Sequence, residues 1–117
     1  MSHRPERVAD LLRAEISAIL ARELSDPRVR LVTVSQVEVS SDLRHAKVKL
    51  SILGNEAERQ AALEGARHAR GFIRRQLGSR LSLRLVPELT FELDRGAEHS
   101  QRISDLLEEL ERERQSS

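Results

Sequence analysis

From Ala46 to Ile52 the side chains alternate without a break, with Ala46, Val48, Leu50 and Ile52 on one side and Lys47, Lys49 and Ser51 on the other. A period of two sends successive side chains to opposite faces of a strand, so this segment is built with one face for a core and one for water. Upstream, LVTVSQVEV also alternates, but its apolar positions change phase between Val34 and Val37. One extra residue, a bulge near Ser35 and Gln36, accounts for that change. With SSDLR as the connecting turn, the two segments predict an antiparallel hairpin with one wet face.

The flanking segments switch to helical spacing. From Pro5 to Leu24, the residues Val8, Leu11, Leu12, Ile16, Ile19, Leu20 and Leu24 recur at three and four, and Pro5 suits a first helical turn. This predicts a core-facing amphipathic helix that stops before the breaker Asp26-Pro27. After Gly54, Asn55 followed three residues later by Glu58 has the form of a capping box. In the helix that follows, Ala62, Ala66, Ala69, Ile73 and Leu77 mark the buried stripe. Beyond Ser82 the chain turns extended, Leu89, Phe91 and Leu93 alternate as a third strand, and Pro87 limits how early that strand pairs. Ile103, Leu106, Leu107 and Leu110 give a short terminal helix one apolar face, with nothing after Leu110 to hold it down.

The middle helix contains HARGFIRRQLG, and each glycine inside a helix costs about 1 kcal/mol relative to alanine. Gly71 lies four residues after Arg67 and four before Arg75, and Gly78 lies four after Arg74, so both glycines fall on the polar face. Bare backbone there, with a kink that frees N–H groups between flanking guanidinium groups, makes a phosphate site. The plainer reading stands beside it: Gly71 ends one helix, Gly78 the next, and the arginines are solvated charge.

Charge is segregated along the 117 residues. Residues 1–85 carry 16 Lys and Arg against 10 Asp and Glu, and residues 86–117 carry 4 against 9, a basic body with an acidic tail. Such a body suits a polyanion, though an arginine-rich solvated surface gives the same count. The chain has no cysteine, no apolar run of membrane-spanning length and no apolar signal core, which predicts a soluble, cytoplasmic protein. His3, His45, His68 and His99 are scattered without metal-ligand spacing, and no nucleotide-binding glycine loop or nucleophile elbow is present. With Phe72 and Phe91 as the only aromatics, base stacking on a sheet is a poor fit. Recognition of backbone and shape by a helix–glycine–helix element remains, as in KH domains.

The order helix, strand, strand, helix, kinked helix, strand resembles a type II KH topology. Along nearly the whole chain the residues resemble the ribosome-binding factor A family: Arg4-Pro5 with Arg7-Val8-Ala9, Asp26-Pro27-Arg28, and Asp42-Leu43 before Ala46-Lys47-Val48. Ala69-Arg70-Gly71-Phe72-Ile73-Arg74, Val86-Pro87-Glu88-Leu89-Thr90-Phe91 and Ile103-Ser104-Asp105-Leu106-Leu107 complete the match.

The resemblance implies an α+β fold, a single KH-like RNA-binding domain over residues 1–98, and an acidic helix or tail over 99–117. It implies a cytoplasmic bacterial factor that binds the small (30S) ribosomal subunit and its 16S rRNA and assists late maturation, including rRNA 5′-end processing. It implies no catalysis, cofactor, metal, membrane or small-molecule substrate, and a monomer. In the family an Ala-x-Gly kink takes the place of the GxxG loop of ordinary KH domains, and Ala69-Arg70-Gly71 occupies that place here. The expected RNA-binding residues are Arg67, Ala69, Arg70, Gly71, Arg74, Arg75, Gly78 and Arg80 around the kink, with Arg4, Arg7, Lys47 and Lys49 as outlying candidates. A generic single-stranded RNA binder, or a protein-interaction module using the terminal leucines, is the alternative.

Overall fold

The alternating segment forms the middle strand of a three-stranded sheet. The computed structural model describes residues 4–81, 83 and 85–115, and the backbone alone over 97–104. Its elements are α1 (Arg4–Arg22), a 3-10 turn (Pro27–Val29), β1 (Val32–Val39), β2 (His45–Ile52), α2 (Glu56–His68), α3 (Arg70–Arg80), β3 (Glu88–Leu93) and α4 (Gly96–Gln115). The strand order is β1-β2-β3, with β1 and β2 antiparallel and β2 and β3 parallel. Parallel pairing requires a crossover connection, and α2 and α3 supply it across one face.

The phase change in β1 is a bulge: the register slips between Val34 and Gln36, so Val34 and Val37 both reach the core. The residue left over, Ser35, has a structural use. Its hydroxyl donates to Asp94 Oδ2 at 2.6 Å and lies 3.3 Å from the Lys49 carbonyl, bridging from β1 over β2 to the chain leaving β3. That bond, with a second from Gly96 N–H, holds the Asp94 carboxyl below its ordinary range.

The capping box is formed as expected: Glu58 N–H donates to Asn55 Oδ1 at 2.8 Å, and Asn55 N–H donates to Glu58 Oε1 at 3.2 Å. At the other end of α2, Ala69 has φ −86° and ψ 2°, in the bridge region between helix and strand, and there the crossover breaks into two helices.

The core lies between the sheet and the three helices. Leu12, Ile16, Ile19 and Leu20 of α1 meet Val34, Val48, Leu50, Leu89 and Phe91, with Ala66, Ile73 and Leu77 closing it from α2 and α3. Phe91 is the largest fully buried side chain. Small Ala62 and Ala66 let α2 approach the sheet closely, and Gly65 does the same against the 3-10 turn: a Cβ there would meet Val29 Cγ1 at 3.1 Å and Asp26 Oδ2 at 3.3 Å.

Three expectations need correction. Leu11 is 49% exposed while its neighbour Leu12 takes the core, and α1 ends at Arg22, two residues short of Leu24. The third concerns α4, which is helical through Gln115 although Leu106, Leu107 and Leu110 lie exposed; the side chain of Ile103 lies outside the described residues.

Candidate nucleic-acid interface

The break at Ala69 starts α3 without any side-chain cap, so its first N–H groups are left to the surroundings. One turn on, Gly71 and Gly78 face the segment that leads into β3. Together with Arg74 and Arg75 on one wall and Leu83, Leu85 and Val86 on the other, they enclose an open cleft of about 600 Å³. Among the described residues no acidic one lines it. A Cβ on Gly71 would touch only Arg75 Nη1, at 3.7 Å, and one on Gly78 would touch Val86 Cγ2 at 3.5 Å, both ordinary contacts. Neither glycine is demanded by packing or by a positive φ, and what their absence of side chain leaves is accessible backbone beside two guanidinium groups.

The structure divides the expected arginines by what they touch. Arg75 is exposed and, among the described residues, has no ion pair or hydrogen bond. Arg74 donates from Nη2 to the Val86 carbonyl at 3.3 Å, which ties the two walls together and leaves its other donors to the cleft. Arg70 is half-buried, its guanidinium 5.9 Å from the Phe91 ring centroid and its Nε buried without a partner. It packs beneath the kink. Arg67 reaches across to the Phe91 carbonyl at 3.5 Å on the outer edge of β3.

Arg80 faces α1, bonding Glu15 at 3.4 Å and pairing closely with Glu23. Two carboxylates on one guanidinium offset its charge, so Arg80 is a tie between α3 and α1 and stands outside the cleft. Helical spacing turns Arg80 about 140° away from Arg75, towards the side of Ile73, and the acids that claim it, Glu23 and Glu15, lie 57 and 65 residues back in the chain.

The outlying candidates separate further. Lys47 and Lys49 sit on the wet face of β2, and Lys49 lies 3.9 Å from Glu38. Arg7 is exposed on α1. Arg4 lies elsewhere, at a second cavity of about 240 Å³ that it lines with Val8, Asp42, Leu43, Arg44, Leu83, Leu85 and Pro87. Sequence reasoning missed this cavity; the one signal pointing to it was the Asp42-Leu43 pair in the hairpin turn.

That turn is tightly organised. Ser40 Oγ donates to Asp42 Oδ1 at 2.6 Å and accepts from His45 N–H at 3.0 Å, while Arg44 N–H donates to the same Asp42 oxygen at 3.1 Å. These bonds hold the Asp42 carboxyl below its usual range, the Ser40 hydroxyl contributing most. Leu43 is held at φ 62°, the one non-glycine residue with positive φ among those described.

Among the described residues no group of His, Cys, Asp and Glu is gathered to hold a metal ion, and no helix is long and apolar enough to cross a membrane. A helical crossover broken at Ala69, an uncapped helix start and a basic, glycine-floored cleft define an α+β protein whose open site offers charge and backbone donors. The chain belongs to the ribosome-binding factor A family, whose model matches residues 4–107.

It is 51% identical over 114 residues to the ribosome-binding factor A of Thermomicrobium roseum, covering 97% of this chain and 88% of that one. To that of Halothermothrix orenii it is 44% identical, covering 97% and 93%. Its fold is similar to the crystal structure of ribosome-binding factor A from Thermus thermophilus, with TM-score 0.70, 25% identity and coverage of 79% of this chain and 97% of that one. It is also similar to a homology model of the Thermus thermophilus factor fitted into a cryo-electron-microscopy map of a 30S–RbfA complex. There the TM-score is 0.56 and the identity 31%, over 72% of this chain and 92% of that one.

Proposed function

We propose that this chain is a cytoplasmic, monomeric ribosome-assembly factor that binds the small (30S) subunit by holding 16S rRNA backbone in the cleft of α3. It acts late in subunit maturation, including processing of the rRNA 5′ end, and acts by binding rather than by catalysis. The observation that carries this reading is the cleft: open backbone at Gly71 and Gly78 and, among the described residues, no partner on Arg75 and no lining carboxylate. Family membership, and a relative fitted into a 30S complex, supply the partner.

In KH-like terms, the break at Ala69 with Gly71 after it stands where a GxxG loop stands elsewhere. Phosphates approach the uncapped N–H groups of α3, favoured by the positive end of its dipole, and Arg74 and Arg75 close on them. Residues 1–98 form the RNA-binding domain in this reading, and 99–117 a separate acidic tail.

Chemical footprinting of rRNA on purified small subunits, with and without the protein, tests the proposal. Protection clustered on single-stranded rRNA, lost with Arg75→Gln, is expected; an unchanged footprint would overturn it. The exposed Leu106, Leu107 and Leu110 favour one second reading, a protein-interaction module. Binding that ignores salt would select it.

A further inference from the structure

The second cavity lies beside the cleft. Leu83 and Leu85 line both, so the cleft of α3 and a smaller recess at the end of the hairpin share one wall. The recess is walled by apolar Val8, Leu43, Leu83, Leu85 and Pro87, with Arg4 and Arg44 beside it. We infer that the recess receives one unstacked base of a single-stranded RNA whose phosphates lie along Arg74 and Arg75. The inference rests on the proposed RNA-binding reading and adds to it the part of the nucleotide that enters the protein.

Three observations carry it. First, the two cavities differ in the way the two halves of a nucleotide differ. The glycine cleft offers guanidinium groups and bare backbone, suited to phosphate, whereas the recess offers hydrocarbon on most of its walls, suited to the face of a base.

Second, Leu85 stands on the ridge between them and is 72% exposed. A lone exposed leucine needs no explanation, but here it continues an apolar wall that reaches into the core through Val8 and Leu43.

Third, Leu43 keeps a left-handed backbone at φ 62°, which a β-carbon disfavours and where Gly or Asn would serve. Its side chain is what that conformation supplies: it packs on the core and forms one wall of the recess. The single carboxylate there among the described residues, Asp42, is committed through Oδ1 to Ser40 and Arg44 N–H.

The test uses short single-stranded RNAs carrying one 2-aminopurine at each position in turn, a base whose fluorescence rises when it leaves the stack. On binding the full chain, one position is expected to brighten and its neighbours to stay quenched. Leu85→Asn, an exposed and charge-neutral change, removes that brightening and weakens binding about five- to tenfold, leaving the salt dependence as it was. Leu43→Asn suits the left-handed backbone, touches the recess but not the cleft, and has the same effect.

Uniform quenching at every position, with binding that Arg75→Gln still weakens, overturns the base recess and leaves the phosphate site standing. No binding of any RNA overturns both readings. If Leu85→Asn weakens binding to whole subunits but not to the RNAs, the recess takes a protein side chain and the inference is wrong.

Discussion

Changing Arg75 and Arg80 separately to glutamine sets two arginines of one helix against each other. Arg75 borders the cleft with no partner among the described residues, and Arg80 is held by Glu15 and Glu23. A phosphate contact to single-stranded RNA releases counterions worth about 0.7 in the slope of log affinity against log salt. Arg75→Gln is therefore expected to flatten the slope by about 0.7, so that over a fourfold range of salt the mutant gives up about 2.6-fold less affinity than wild type. Its stability stays within about 0.5 kcal/mol, because no bond is lost. Arg80→Gln gives the reverse: a slope near wild type, and a loss of about 1 kcal/mol or less, since its ion pairs are partly exposed and such pairs contribute roughly 0.2–1 kcal/mol each.

Arg70→Gln falls with Arg80, losing about 1 kcal/mol from its place against Phe91. A triple change of Arg70, Arg74 and Arg75 thus flattens the slope by the share of Arg74 and Arg75, about 1.4, and costs stability as well. Fluorescence anisotropy across a salt series measures the slopes, and urea unfolding measures the stabilities. Equal slopes for Arg75→Gln and Arg80→Gln would show that total charge, rather than placement in the cleft, governs binding, and the assignment of roles would fail.

Gly65→Ala should destabilise by about 1–3 kcal/mol in urea unfolding, because its Cβ meets Val29 at 3.1 Å and Asp26 at 3.3 Å; a neutral result would mean that the 3-10 turn shifts freely. Glu56 is bonded by Arg95 at 2.5 Å and by Gln60, which lowers its pKa from 4.5 to about 2. The folded pKa is depressed, so the stabilisation is complete above about pH 4.5 and fades as pH falls towards 2; carboxyl titration by NMR should show Glu56 near 2, rising towards 4.5 in Arg95→Gln. Truncation after Leu110 removes Glu111 and Glu113 together with Arg112 and Arg114, no net charge, and should leave RNA affinity unchanged, as read by anisotropy; a large loss would show that α4 contacts the RNA.

Local rules made much of the fold legible. The alternation in β2, the phase slip that became the bulge at Ser35, and the Asn55–Glu58 capping box each follow from spacing within a few residues. The glycines of α3 were legible as surface glycines for the same reason. What spacing does not carry is the identity of distant partners.

On a helical wheel Arg80 falls about 140° from Arg75 and close to Ile73, but the wheel does not name its partners; the packing of α3 against α1 brings Glu15 and Glu23 to it. Arg70 falls about 20° from Leu77 on a wheel, at the edge of the buried stripe, but that Phe91 is the ring its guanidinium meets is set by the distant strand β3. Gly65 sits in α2 without any local sign that the 3-10 turn presses on it. The recess beside Arg4 joins the start of α1, the hairpin turn and the segment before β3, three parts of the chain that no local pattern relates.

Gly71→Leu tests the central claim most directly. Its Cβ meets nothing closer than Arg75 Nη1 at 3.7 Å, so leucine is accommodated without strain, favours the helix over glycine by nearly 1 kcal/mol, and projects into the cleft where phosphate is held to lie. Cosedimentation with purified small subunits, alongside circular dichroism and urea unfolding of the same variant, separates the site from the fold. The account predicts a folded protein, as stable as wild type or more so, whose subunit binding falls by about tenfold or more, the loss of roughly one charge-assisted phosphate contact. A folded Gly71→Leu that sediments with subunits as wild type does would contradict it and move the binding surface away from α3.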